Sequence, residues 1–167
     1  MKKIALIGSG GSGKSTFSKQ LGAKFHIKVW HLDQLLWKSN WTPTSREEQI
    51  QIQKELVKEE EWIIDGNYNS TLDIRLEAAD TILFFDLPRT VCVYRVLKRM
   101  IKYRNQTRPD MAEGCREKLD FHFLKWIWNF PKSKRPNLLR KLERLSKEKK
   151  VIIFKSSKDV KRFLQSC

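Results

Sequence analysis

Eight consecutive residues, Gly8-Ser9-Gly10-Gly11-Ser12-Gly13-Lys14-Ser15, carry the most specific chemistry in the chain. They match G-x-x-x-x-G-K-[ST], a phosphate-binding loop (P-loop). The glycines let the backbone curl tightly and take positive φ with no Cβ clash. The curled backbone turns its N–H groups inward as a nest for an anion. The helical run that follows from Thr16 adds unpaired N–H groups and the positive end of its dipole. Lys14 brings a full charge to the β- and γ-phosphates, and the Ser15 hydroxyl can ligate Mg2+. Gly8 to Thr16 is therefore the expected contact set for ATP and Mg2+. The bland alternative is a glycine-rich turn that binds nothing. It is disfavoured because the complete motif sits between an apolar strand, Ile4 to Ile7, and a helix.

Other charged residues are spaced to serve the same phosphates. Arg95 and Arg99 are four apart and share one helix face. Arg104 and Arg108 follow in a loop. Guanidiniums folded over a γ-phosphate would spread and neutralise transition-state charge; the alternative is a solvated basic face. Asp65 ends a short apolar strand, at the edge where the P-loop opens. There it can hold a metal-bound water, or simply cap the next turn. Asp33 closes the second strand on that same edge, with the alternative of capping Gln34-Leu35-Leu36. His31 is expected to face the core or a neighbouring side chain.

The elements that must place these residues follow from hydrophobic periodicity. Buried strands are expected at Lys2–Ile7, Ile27–Leu32, Trp62–Asp65, Thr81–Leu87 and Val151–Phe154. Helices are expected at Thr16–Phe25, about 44–60 with Thr44 or Ser45 as N-cap, Thr71–Ala79, Pro88 to about Arg104, Leu119–Phe130 closed by Pro131, Leu138–Lys149 and Asp159–Leu164. Asn105 to Glu117, with Pro109 and Gly114, reads as a mobile loop. Gln34 to Thr44 reads as irregular and substrate-facing. Strands alternating with helices imply an α/β fold, a parallel sheet with helices on both faces. In the segment Phe121 to Phe130, the positions Leu119, Phe123, Trp126, Ile127 and Phe130 form a core stripe at helical spacing. Phe121 and Trp128 lie off it and are the candidates for stacking on single-stranded bases.

At 167 residues the chain reads as one domain, 1–167. No apolar run approaches a membrane span. Only four apolar residues separate Lys3 from Gly8, too few for a signal peptide, so a cytoplasmic location is expected. Cys92, Cys115 and Cys167 are far apart and lack a CxxC, which argues against a disulfide framework or a zinc site. Residues 1–90 hold 12 basic and 12 acidic side chains, whereas residues 91–167 hold 22 and 7. The whole surplus thus lies in the C-terminal half, which can hold a polyphosphate, contact nucleic acid, or be a solvated surface.

Several landmarks together resemble adenylate-kinase-like enzymes: Trp62-Ile63-Ile64-Asp65-Gly66, Ala79 to Pro88, and the helix bearing Arg95 and Arg99. More closely, the ensemble resembles the bacterial DNA topology modulation proteins, adenylate-kinase-related P-loop proteins. Trp30-His31-Leu32-Asp33, Trp62–Tyr68, Arg108-Pro109-Asp110-Met111, Gly114-Cys115 and Phe121–Pro131 carry that match. The resemblance implies a three-layer α/β/α P-loop kinase fold with a five-stranded parallel sheet. It also implies a LID-like insertion at about 104–118 that closes over the donor nucleotide, and an acceptor-side region at about 33–60. It raises Arg95 and Arg99 as phosphate clamps and Asp33 as the acid that meets an acceptor hydroxyl. True adenylate kinases carry acceptor arginines in two places where this chain reads Asp33-Gln34-Leu35-Leu36-Trp37-Lys38 and Asp65-Gly66-Asn67-Tyr68-Asn69. Neither stretch contains Arg, which leaves Arg75 as the candidate to compensate and Trp37, Trp41 and Tyr68 as a possible aromatic floor. Three readings follow: a kinase of a nucleoside, nucleotide or similar small acceptor, a DNA-associated protein using ATP as ligand or switch, and a plain NTPase.

Overall fold

The computed structural model describes all of residues 1–167. In chain order its elements are β1 (Lys3–Gly8), α1 (Lys14–Phe25), β2 (Val29–His31), α2 (Leu32–Leu35), β3 (Trp37–Lys38), β4 (Thr42–Pro43), α3 (Arg46–Leu56), β5 (Trp62–Asp65), α4 (Leu72–Ala78), β6 (Thr81–Phe85), α5 (Arg89–Lys102), α6 (Phe121–Ser133), α7 (Arg135–Leu145), β7 (Lys150–Phe154) and α8 (Ser157–Ser166).

Side-chain alternation along β1 sets the layers. Ile4 and Leu6 enter one apolar cluster with Ile63, Leu83 and Phe85; Ala5 and Ile7 enter another with Trp62, Ile64, Ile82 and Phe84. All of these are essentially inaccessible to water. A strand apolar on both faces needs cover on both. Phe17 and Leu21 of α1 and Cys92 and Val96 of α5 cover one face, while Leu72 and Leu76 of α4 and Leu138 and Leu142 of α7 cover the other. The five strands are parallel in the order β2-β5-β1-β6-β7. This is the expected α/β/α sandwich on a five-stranded parallel sheet.

The register decides where the chemistry gathers. Leu6 and His31 both sit opposite Asp65, and Gly8 sits opposite Phe85. The carboxyl ends of β1, β2, β5 and β6 therefore share one edge, where ligands bind in open α/β sheets. Arg135 is fixed to that edge by two 2.7 Å bonds to Asp86, which moors the start of α7 just beyond β6.

Several boundaries differ from the periodicity reading. Ser45 caps α3 in a reciprocal capping box with Glu48, so the helix begins as expected but stops at Leu56. Pro131 does not close α6, which runs on to Ser133. So near the end of a helix a proline forfeits only one backbone bond, and the Ser133 hydroxyl bonds the Asn129 carbonyl at 3.0 Å. Leu119 is not on the core stripe. Asp120 is the N-cap of α6, accepting from the Phe123 N–H at 3.0 Å, so Leu119 precedes the helix and is 56% exposed. Ile127 and Phe130 are buried as expected, and Phe121 and Trp128 are exposed. Trp128 lies against Arg89, whose guanidinium sits 4.0 Å from the ring centre.

The stretch read as irregular contains a small antiparallel hairpin, β3–β4. Its turn holds Asn40 and Trp41 at positive φ. That conformation is unusual for a bulky residue; here the Trp41 indole donates to the Arg116 carbonyl at 2.9 Å and packs edge-on against Trp37. The segment 105–117 is not a loose excursion. Arg104 bridges to Glu117 and Thr107 to Arg116, and Met111, Ala112 and Cys115 bury against Trp37 and Trp41. No helix is long and apolar enough to cross a membrane.

Candidate active site

The P-loop turns between β1 and α1 in the conformation its glycines permit. Gly11 has φ +74°, and a Cβ there would stand 2.3 Å from the Cys92 carbonyl oxygen of α5. A Cβ on Gly10 would stand 2.5 Å from the Phe123 ring of α6. The loop is thus wedged between two helices, which only glycine allows. The Lys14 ammonium lies along the loop, donating to the carbonyls of Gly8 at 3.0 Å and Ser9 at 2.7 Å. Burial lowers its pKa, opposed by the nearby charges of Asp65 and Asp33. Ser12 closes the turn by donating to the Ser9 carbonyl at 2.8 Å.

A cavity of about 1410 Å³ opens above this loop. Gly8, Gly10, Gly11, Ser12, Gly13, Lys14, Ser15 and Thr16 line it, together with Asp33, Asp65, Arg95, Arg99 and Arg108. The sheet edge and the loop after α5 thus bring together nearly every residue singled out from the sequence. Ser9 and Arg104 do not join them: Ser9 is buried, and Arg104 is exposed and outside the lining. Arg104 lies beyond the end of α5 at Lys102, so it does not share the helix face of Arg95 and Arg99.

Each arginine has a distinct setting. Arg95 spans from the Ser12 carbonyl, at 3.1 Å, to the Ser157 hydroxyl of α8, at 2.8 Å. Arg99 and Arg108 converge on Glu117, with Nε atoms 3.3 and 2.7 Å from its Oε2. Arg108 also bonds Asp110 at 3.1 Å. Burial, and then Arg108 beside it, lower the pKa of Arg99. Burial pushes the Asp110 carboxyl up, but Arg108 and the Ser15 hydroxyl help to hold it below its ordinary value.

Neutral and acidic groups line the cavity as well. The Tyr68 hydroxyl donates to Asp33 at 2.8 Å. Burial raises the Asp33 pKa against that hydrogen bond, and burial and Asp33 together push the Tyr68 phenol up. His31 Nδ1 lies 3.0 Å from Asp65, both buried, so His31 meets a neighbouring carboxylate as expected. Asn67 lines the cavity, and its amide nitrogen and oxygen are both shut from solvent with no partner in the chain. Trp37 and Trp41 also line it, although both serve equally to dock residues 111–115.

Arg75 does not compensate for the absent acceptor arginines. It is wholly buried, bonding the Gln53 side chain at 2.6 Å and the Gly66 carbonyl at 2.9 Å, and it does not line the cavity. Burial brings its pKa down to about 10. The sequence reading also missed Asn67, Asp110 and Glu117 as site residues. Asp110 and Glu117 carried a weak local signal, as acids interleaved with Arg104, Arg108 and Arg116, but nothing local told which cations they would meet.

The residues present fit a nucleotide and a divalent cation. The glycine loop offers a backbone cradle, Lys14 stands over it, and the Ser15 hydroxyl faces the cavity with Asp65 and Asp110 on the same lining. No three His, Cys, Asp or Glu side chains gather as a metal cluster. A set of one hydroxyl and scattered acids suits Mg2+, which keeps several waters and shares its ligands with phosphate.

Among solved structures the chain superposes on a shikimate kinase from Bacteroides thetaiotaomicron. The TM-score is 0.55 at 16% identity, covering 98% of this chain and 94% of that one. A sugar kinase from Janibacter sp. HTCC2649 gives 0.54 at 13% identity, covering 99% and 93%. A shikimate kinase from Aquifex aeolicus VF5 gives 0.52 at 17%, covering 98% and 94%. The fold is that of the P-loop kinases. At these identities the likeness is one of fold. No protein-family model and no curated protein matches the sequence, so the resemblance to DNA topology modulation proteins rests on the quoted motifs alone. The basic surplus is divided in space. Seven lysines and arginines of the C-terminal half line the cavity, while Lys141 pairs with Asp73 and Lys149 binds the carbonyls at the end of α4.

Proposed function

We propose that the protein is a small-molecule kinase, transferring the γ-phosphoryl group of ATP to a hydroxyl of a nucleoside, nucleotide or similar acceptor. The observation that carries this reading is the cavity itself, whose lining brings Lys14 and the P-loop together with Asp33, Asn67 and Tyr68. Phosphoryl transfer needs positioning and charge neutralisation more than covalent help from the protein. Lys14 and Arg99 supply positive charge beside the loop, and Arg95 holds the loop against α8. Asp33 is the base. Its carboxylate takes the proton of the acceptor hydroxyl as the acceptor O–P bond forms and the β–γ bridging O–P bond breaks, so ADP leaves. The Tyr68 hydroxyl fixes the orientation of that carboxylate. Bound Mg2+ would neutralise developing phosphate charge, with Ser15 as its protein ligand and Asp65 holding one of its waters.

The test is a panel of nucleosides, nucleotides and polyols incubated with γ-labelled ATP. Label should appear on one class of acceptor, and Asp33→Asn should abolish its transfer. Tight ATP binding with no transfer to any acceptor, and phosphate release to water alone, would favour the plain NTPase instead.

A further inference from the structure

Glu117 is an acid of the cavity lining that meets two of its arginines. It is 4% exposed, and its Oε2 approaches Arg108 Nε at 2.7 Å and Arg99 Nε at 3.3 Å. Placed beside the phosphates, this carboxylate weakens the very field that would attract a nucleotide. Simple attraction does not account for it, and its geometry does. The two guanidiniums it touches are in different situations. Arg108 is engaged on every side, by Glu117 at Nε, Asp110 at Nη1 and the Met111 sulfur at Nη2. Arg99 is engaged on one side only. Glu117 pairs with its Nε edge, the Phe123 ring lies 5.9 Å from Cζ, and its two terminal amino groups hydrogen-bond nothing in the chain. Both contacts with Glu117 Oε2 are ion pairs without good hydrogen-bond alignment, and that of Arg99 involves its Nε edge alone and leaves the two terminal amino groups unused.

We infer that Glu117 is a positioning residue: it holds Arg99 by the Nε edge so that both terminal amino groups face the phosphoryl group in transfer. The inference rests on the kinase reading above. A guanidinium is a rigid planar fork, and fixing one edge fixes the direction of the other two donors. Without the carboxylate, Arg99 and Arg108 repel at close range and Arg99 loses its orientation. Glu117 thus trades some ground-state attraction for donors already in place when charge develops, which is the kind of interaction that raises turnover.

The experiment needs no acceptor. Calorimetry on the full chain would measure the affinity for MgADP, and for MgADP with aluminium fluoride, a mimic of the phosphoryl group in flight. In Glu117→Gln, MgADP should bind as tightly as in the unmodified protein or up to a few-fold tighter, because a negative charge is gone. The extra affinity gained from aluminium fluoride should fall by about tenfold or more. Glu117→Asp should recover part of it. Arg99→Lys keeps the charge and loses the fork, so it should show the same selective loss; the double variant Glu117→Gln/Arg99→Lys should be no worse than Arg99→Lys. Retention of the full aluminium fluoride gain in Glu117→Gln would overturn the inference. So would equal loss of both ligands, which marks a structural latch, or additive losses in the double variant. Failure of the unmodified protein to bind MgADP would instead remove the kinase reading on which the inference stands.

Discussion

One part of the cavity lining, Gly10, Gly11 and Gly13, is bare backbone, with Lys14, Arg95 and Arg99 on the same lining. Another part, Asp33, Asn67 and Tyr68, presents side-chain hydrogen-bonding groups, while Arg75 is buried in the core. On the kinase reading the first part, the donor end, would recognise charge and tetrahedral oxygen, features shared by every nucleoside triphosphate. The second, the acceptor end, would recognise direction. A buried amide without partners and a carboxylate fixed by a phenol accept only groups that arrive with complementary donors and acceptors, because an unmatched buried polar group is costly. On that reading the donor end would be generic and the acceptor end selective. Arg75 shows that a cation in the right part of the sequence can serve the fold and leave the substrate alone.

Substitutions on either side should separate the two ends. The largest loss belongs to Lys14→Met, with turnover expected to fall about a thousandfold and MgADP binding weakened as well. Asp33→Asn should lower turnover by about a hundredfold or more, yet leave MgADP affinity unchanged by calorimetry. A joint loss of both would mean that the ends are not separable. Arg75→Met leaves the Gly66 carbonyl and Gln53 without their partner, and should cost about 3 kcal/mol in urea unfolding. It should also raise KM for the acceptor more than for ATP. The smallest effect concerns pH. Burial holds the Asp33 carboxyl above its ordinary range, so the base form is lost, and activity with it, as pH falls through that raised value. The Tyr68 hydrogen bond opposes the rise. Tyr68→Phe should therefore move the acid limb of the rate profile to higher pH, and a shift to lower pH would refute Asp33 as the base.

The donor end was legible because its information is local. A P-loop is eight consecutive residues, and Ser45 with Glu48 is a four-residue cap. Arg95 and Arg99 needed only helical spacing to be set on one face. The acceptor end was not legible, because its decisive contacts span long stretches of chain: Tyr68 to Asp33, Asp65 to His31, Arg75 to Gln53. Arg104 misled because a place in the loop after α5, which ends at Lys102, does not say which way a side chain faces. Pro131 misled for the opposite reason, since packing of Ile127 and Phe130 carries α6 through a residue that usually stops one.

The hairpin region and the segment after α5 have a further consequence. Residues 33–41 and 109–116 are joined by bonds running both ways: Gln34 to the Pro109 carbonyl, the Ala112 N–H to the Asp33 carbonyl, Ser39 to Glu113, the Asn40 N–H to Gly114, Cys115 to Lys38, and Trp41 to Arg116. Neither segment can swing without the other. A molecule that ordered one of them would order the other as well, and linkage would make that help reciprocal. On the kinase reading, two substrates would then load as partners, each tightening the grip on the other through a shared pair of segments.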